Sequence, residues 1–289
     1  MKIILFGASL GGQNFIKNYG NQYQILAIAD NNEAIQGEFL EDILIISPSQ
    51  IIEYDFEKVI VASMYVNSIS KQLLNLGISK DKIEYASKIS MKHVGAPFEN
   101  QDILKKANQF IVSLTEILDG IPHYFTFGTL LGIARDGRLI PWDDDIDLAI
   151  FEEDIEKIKE RLLENVEKLE DILTIEMYSR EHHNGDVIAI MIDCYNNDEK
   201  LFNISLDTIF IEGDNARQDL NDTPLHYFIG KDEILFENIK INVPKNYLDY
   251  LTYTYGDWRT VRKDTSFADN TLSFKEPELR SSNVYFYKK

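Results

Sequence analysis

Phe127-Gly-Thr-Leu-Leu-Gly-Ile-Ala-Arg-Asp-Gly-Arg-Leu-Ile-Pro-Trp-Asp-Asp-Asp-Ile-Asp-Leu-Ala-Ile150 is the stretch that decides how the chain is read. It opens on a small-residue turn, Gly128-Thr129, passes Arg135 and a Pro141-Trp142 corner, and ends in carboxylates that run into Leu148-Ala149-Ile150. That is the pattern of a strand edge entering a buried strand. Residues i and i+2 of a strand share a face, so Asp145 and Asp147 point the same way. Like charges that close repel unless a proton or a cation lies between them. A hard divalent ion, Mg²⁺ or Mn²⁺, suits an all-oxygen donor set. The ordinary reading of an acidic run is a solvated face. An EF-hand is a second reading, because Asp143, Asp145 and Asp147 fall at its positions one, three and five; Leu148 and Asp154 then stand where glycine and glutamate are needed. Apolar residues on both sides of the acids, and the Gly-Thr turn upstream, favour a built site.

Working outward, residues 123–127 form a short β-run that delivers the chain to the turn, and 130–135 read as helix. A helix starting there would aim free N–H groups at an anion. Upstream, 100–118 has helical periodicity, with Ile103, Leu104, Phe110, Ile111, Leu114, Ile117 and Leu118 on one broad face. Downstream, 152–169 reads as one charged amphipathic helix. Three β-runs follow at 172–178, 187–192 and 201–211, then a helix at 247–255 stopped by Gly256. His182-His183 follows a strand end and reads as loop, since adjacent residues seldom converge on one ion.

The N-terminal third has a different pattern. Residues 2–6 and 23–29 read as buried parallel strands around a helix to about Tyr19. Gly7, Gly11 and Gly12 lie in the first turn, with Ser9 where the dinucleotide fingerprint has its second glycine and Asp30 at the place of the ribose-binding acid. These five residues are the candidate nucleotide-binding set; the alternative is a Rossmann-like unit whose glycines only make a tight turn. A short helix at 48–54, a strand at 58–62, a helix at 66–76 and a strand at 83–86 complete the unit near Ser87, and 93–97 reads as a linker. The expected organisation is an α/β Rossmann-like domain with a parallel sheet at 1–92, then an α+β domain at 93–289.

The composition of 44% hydrophobic and 27% charged residues is that of an ordinary globular protein. No stretch approaches the ~20 apolar residues of a membrane span, and the chain enters a strand without a signal-peptide pattern. With Cys194 alone there is no internal disulfide and no zinc spacing. A cytoplasmic location is the expectation. The net charge of −19 argues against nucleic acid as a partner. Residues 1–92 carry −2 of it and the rest −17, and every arginine lies in the second part. An acidic domain that handles anions needs metal ions or arginines aimed into its site.

The same residues carry a family resemblance. The string Gly128-Thr129-Leu130-Leu131-Gly132…Arg135…Ile140-Pro141-Trp142-Asp143-Asp144-Asp145-Ile146-Asp147 resembles the LicD/fukutin family of phosphotransferases, in the nucleotidyltransferase-fold superfamily. Val243-Pro244-Lys245, Tyr250-Leu251 and Tyr255-Gly256-Asp257-Trp258 resemble the closing segment of that family. The matches span roughly residues 100 to 260. The resemblance implies an α+β nucleotidyltransferase-like fold and metal-dependent transfer of a phospho-alcohol. The donor would be a CDP-alcohol such as CDP-choline, and the acceptor a hydroxyl of a surface glycan or its lipid-linked precursor. Such an acceptor would bring the protein to a membrane only peripherally.

By that resemblance Asp145 and Asp147 hold one or two Mg²⁺ ions. The third acid is Asp207, in Ser205-Leu206-Asp207-Thr208-Ile209-Phe210, with Asp193 as its rival. Asp207 would bind metal or act as general base. Gly128 and Thr129 would present donors to phosphates, and Arg135 would clamp one of them. Trp142 reads chiefly as a packing residue, Trp258 and Tyr255 as core or as the wall of a donor pocket, and Asp143 and Asp144 as support for the site. Three other readings stay open: a nucleotidyltransferase adding a nucleoside monophosphate, a non-enzymatic binding protein, and an NAD-dependent oxidoreductase built on the first domain. For the last, no Tyr-x-x-x-Lys pair stands at a convincing place.

Overall fold

The computed structural model describes residues 1–92, 96–269, 274–276 and 281–288. They divide into two compact units, one built from 1–92 with 261–269, the other from 96–260 with 274–276 and 281–288. Residues 93–95, three of the five of the expected linker, lie outside the described residues; Pro97–Glu99 is a helical turn.

In the first unit the chain runs β1 (Lys2–Phe6), α1 (Leu10–Tyr19), β2 (Gln24–Ala29), β3 (Phe39–Leu40), β4 (Ile43–Ile46), β5 (Lys58–Val61), α2 (Val66–Asn75) and β6 (Ile83–Tyr85). The sheet order is β3-β4-β2-β1-β5-β6, parallel throughout except for β3. Both faces are covered, which is why β1 is a continuous apolar run. Ile4 and Phe6 pack with Val66, Ile69 and Leu73 of α2, while Ile3 and Leu5 pack with Phe15 of α1. The strands β3 and β4 were not expected. They form a hairpin whose two turn residues, Glu41 and Asp42, take φ of 49° and 63°.

The second unit begins with α3 (Gln101–Ile117), capped by the Asn100 side chain. Then come β7 (His123–Phe125), α4 (Phe127–Asp136), β8 (Asp145–Phe151), α5 (Ile155–Glu164) and α6 (Val166–Glu170). The single helix expected over 152–169 is in fact two, because Asn165 closes α5 and opens α6. The long strands β9 (Thr174–His182), β10 (Val187–Asn196) and β11 (Glu199–Glu212) follow, with β12 (Asn215–Arg217) and β13 (Asp222–Pro224). The chain ends with a hairpin, β14 (Asp232–Phe236) and β15 (Ile239–Val243), then α7 (Tyr247–Tyr255) and β16 (Ser281–Tyr287).

The main sheet is ordered β13-β12-β11-β10-β9-β16, with β8 parallel to β11 and β7 antiparallel to β8. One of its faces is the core: Ile146, Leu148, Ile190, Ile192, Ile204 and Leu206 join Phe110, Leu114, Ile158 and Leu162 in one buried cluster. The other face carries the acids. His182 belongs to β9, not to the expected loop, because β9 extends to pair with β16 as far as Ser281; His183 lies beyond it.

Candidate active site

The site is assembled where α4 meets β8. Phe127, the first residue of α4, has φ of +41°, a strained conformation for a bulky residue that costs about 1–3 kcal/mol. Three hydrogen bonds fix this end of the helix to the strand. The Gly128 N–H donates to Asp147 Oδ2 at 3.0 Å, the Asp147 N–H donates to Thr129 Oγ1 at 2.9 Å, and the Thr126 N–H donates to the Asp147 carbonyl at 3.0 Å. The expected Gly128 donor is therefore directed at Asp147, while the buried Thr129 hydroxyl accepts from the Asp147 N–H. A side chain at position 128 would displace the Asp143 carboxylate. A Cβ there would lie 2.5 Å from Asp143 Oδ2 and 3.4 Å from Asp147 Oδ2. Gly132 has a related role: a Cβ would meet the Arg138 carbonyl at 2.6 Å. Its absence lets residues 138–140 fold back against α4 and carry the chain to Asp143.

Asp143, Asp144 and Asp145 each offer a carboxylate oxygen within 4.8 Å of the others. Asp143, read from the sequence as support, thus stands with Asp145 and against Gly128. The donor set is all oxygen and anionic, and the glycine cradle leaves room for it at a helix N-terminus. Those features are compatible with a hard divalent cation; the carboxylates that converge are those of Asp143, Asp144 and Asp145, so of the expected pair Asp145 belongs to the cluster and Asp147 stands next to it on the strand.

Register brings both candidates for the third acid to the face of the pair. β8 and β11 pair in parallel as Asp145↔Asn203, Asp147↔Ser205 and Ala149↔Asp207. Asp207 therefore shares the face of Asp145 and Asp147 and lies diagonal to Asp147, roughly 7–8 Å away between backbones. It is recessed but reached by solvent. Burial raises its carboxyl to about 6, against a Ser205 hydroxyl that donates to it at 2.5 Å and the charge of Arg180. Asp193 is on the same face, opposite Asn203. Its carboxylate, however, is paired with Lys200 at 2.8 Å.

From α7, Tyr250 and Tyr255 bring two hydroxyls into this field. Burial first, then Asp147, holds both protonated well above their ordinary value. Trp258 is buried, and its indole donates to Thr252 Oγ1 at 3.2 Å; Trp142 is half-buried at the corner before the acids. Arg135 sits in the last turn of α4, at the opposite end from Gly128, and pairs with Asp136 at 2.7 Å. The arginine whose charge reaches Asp207 is Arg180, which the sequence reading passed over. Its only signal was its place in the alternation of β9, legible once the register was known.

In the first unit, Gly7 adopts φ of +116°, and a Cβ on Gly12 would come within 1.9 Å of the Gly7 carbonyl. Gly12 is thus required for the close packing of α1 on β1. Gly11 lies against Met91, and Ser9 caps α1 without a side-chain hydrogen bond. The Asp30 carboxylate accepts the N–H of Ala8 at 2.7 Å and of Asn32 at 2.8 Å. Both of its oxygens therefore brace the turn that a ribose would approach.

Two family models match separate parts of the chain. Residues 1–84 match the family model described as C2185-like, N-terminal, and residues 120–246 match that of the LicD/FKTN/FKRP nucleotidyltransferase domain. Over 52 residues the chain is 40% identical to ribitol 5-phosphate transferase FKRP of Mus musculus and of Homo sapiens. That stretch is 18% of this chain and 10% of either relative, so the match spans about a tenth of the curated relatives' length. Among solved structures, UDP-D-quinovosamine 4-dehydrogenase from Vibrio fischeri is 19% identical over 29% of this chain and 74% of that one, with a TM-score of 0.24. UDP-N-acetylglucosamine 3-dehydrogenase GnnA from Acidithiobacillus ferrooxidans is 8% identical over 84% and 82%, with a TM-score of 0.27. Neither structural likeness carries weight at these scores. The motif, the register of its acids and the family model coincide on one segment: residues 120–246 of this chain belong to the LicD/FKTN/FKRP nucleotidyltransferase-domain family.

Proposed function

We propose that this domain transfers a phosphate-linked alcohol from a CDP-activated donor to a hydroxyl of a glycan or its lipid-linked precursor. The observation that carries the reading is the face shared by Asp145, Asp147 and Asp207 across a parallel strand pair, at the N-terminus of α4. Ribitol 5-phosphate, named in the matched relatives, joins phosphocholine, phosphoethanolamine and glycerol phosphate as a candidate group. Mg²⁺ or Mn²⁺ on Asp145 and Asp147 would supply Lewis-acid charge neutralisation at the donor's pyrophosphate.

The chain's own part is positioning and proton transfer. Asp207, with its carboxyl near 6, is mostly ionised at neutral pH and basic enough to accept a proton. It takes the acceptor hydroxyl's proton as that oxygen bonds to the phosphorus bearing the alcohol. The bond from that phosphorus to the bridging oxygen breaks, and CMP leaves. Asp147 is held in place by Gly128 and Thr129, so its oxygens need no reorganisation during the step. The test is CMP release, followed by chromatography, from CDP-ribitol, CDP-choline, CDP-ethanolamine and CDP-glycerol with Mg²⁺ and a glycan acceptor. Release from one donor, lost in Asp145→Asn, is expected. No release from any donor, with pyrophosphate formed from a nucleoside triphosphate instead, would move the domain to nucleotidyl transfer.

A further inference from the structure

The proposed donor is a dianionic pyrophosphate entering a domain that carries −17 of the chain's charge. Some cationic side chain has to meet it, and Arg135 is turned away. One row of the open sheet face reads Ala149, Asp207, Ala189, Arg180 on β8, β11, β10 and β9. The two alanines, both buried, put only a methyl group on either side of Asp207 in that row. Arg180 and Asp207 are two strands apart, roughly 9–10 Å between backbones. An extended arginine spans that gap over an alanine.

Arg180 is held only loosely where it rests. Its Nη2 lies 3.4 Å from Asp219 Oδ2, and its side chain is 34% exposed. A committed arginine–carboxylate pair is a fork of two bonds at about 2.7–2.9 Å. Asp219 has a second partner, His182 Nε2, 3.3 Å from its other oxygen. Withdrawing the guanidinium would therefore not orphan a recessed carboxylate, the usual obstacle to breaking such a pair.

We propose that Arg180 is the anion-binding arginine of the site: it rests on Asp219 and turns across Ala189 to take the donor's phosphate beside Asp207. The assignment rests on the phosphotransferase reading. It gives Asp219 the role of a competing anion and His182 the role of holding Asp219 when the arginine leaves. A brace between β9 and the β12–β13 turn is the structural alternative, and the two make opposite forecasts for Asp219.

The experiment is calorimetric titration of the full chain with inorganic pyrophosphate in the presence of Mg²⁺. Arg180→Ala should weaken binding about 10- to 100-fold, the worth of a charge-assisted pair. Asp219→Asn, which removes the competitor, should strengthen it several-fold. Arg180→Lys keeps the charge without the fork, should fall between, and carries the test if the alanine variant folds poorly. Equal affinity in Arg180→Ala and wild type would overturn the assignment and leave the phosphotransferase reading standing. So would equal weakening by Arg180→Ala and Asp219→Asn, the mark of a brace. Absence of pyrophosphate binding by the wild type would sink both readings.

Discussion

Asp207→Asn should make the metal-free protein more stable while removing its activity. The wild-type carboxyl is raised from 3.8 to about 6, with burial the largest cause. A raised carboxyl means the native state holds its proton over a range where the unfolded chain has released it. Stability then falls as pH rises through that range. The penalty is absent below about pH 4 and complete above about pH 6. At about 1.4 kcal/mol per pH unit it amounts to about 3 kcal/mol. Asparagine keeps the shape and an acceptor for the Ser205 hydroxyl, and it has no charge to desolvate. Urea unfolding in EDTA from pH 4 to pH 8, followed by circular dichroism, is the assay. The variant should exceed wild type by a few kcal/mol at pH 7–8 and approach it at pH 4. Equal stability at pH 8, or a gap that widens as pH falls, would refute the reasoning.

Gly128→Ala should cut CMP release at least 10-fold with only a small change in melting temperature, because its Cβ would drive Asp143 Oδ2 out from 2.5 Å; steady-state kinetics beside thermal melts checks this. Asp207→Asn should cost turnover orders of magnitude, whereas Asp193→Asn, whose carboxylate is paired with Lys200, should stay within a few-fold of wild type in steady-state assays; the reverse order would exchange the two acids. Gly12→Ala should lower the melting temperature of the first unit by several degrees, since its Cβ would sit 1.9 Å from a backbone oxygen, and an unchanged melt would show that α1 can shift. Added Mg²⁺ should raise the melting temperature of wild type and of Arg180→Lys, but not of Asp145→Asn.

What could be read early was whatever local periodicity fixes. The apolar run Lys2–Phe6, the stripe of α3 and the i, i+2 acids of β8 each declare themselves within a few residues. Two of the hairpins that were missed, β3–β4 and β14–β15, turn on Glu41-Asp42 and Glu237-Asn238, all at positive φ. Neither pair contains glycine, the residue that normally marks such a turn. Pairing is not local, so Asp207 was placed by resemblance until the β8–β11 register put it beside Asp147. Arg180 and Asp219 are 39 residues apart in sequence and met only in the folded sheet. The prominence of Asp143 was legible in principle, because three successive acids before a strand cannot all avoid the side the strand presents.

The acids raise a question of balance that the fold answers in two ways. Two carboxylates within 4.8 Å of each other repel by at least about 3 kcal/mol at an effective dielectric of ~20. The N-terminus of α4 offsets only about 0.3–1 kcal/mol of that, and the Gly128 N–H adds one charge-assisted hydrogen bond. In the proposed reaction further positive charge would arrive at the loop acids as the divalent ion that accompanies a pyrophosphate. Asp207 is handled differently. It lies deeper, between two alanines, and its charge is relieved by a proton near pH 6. In the proposed reaction one group of acids would hold a cation and the other would exchange a proton, on opposite sides of a single strand pairing. Phosphoryl transfer from a pyrophosphate to a hydroxyl needs those two functions side by side, and the parallel register of β8 on β11 sets them one diagonal step apart.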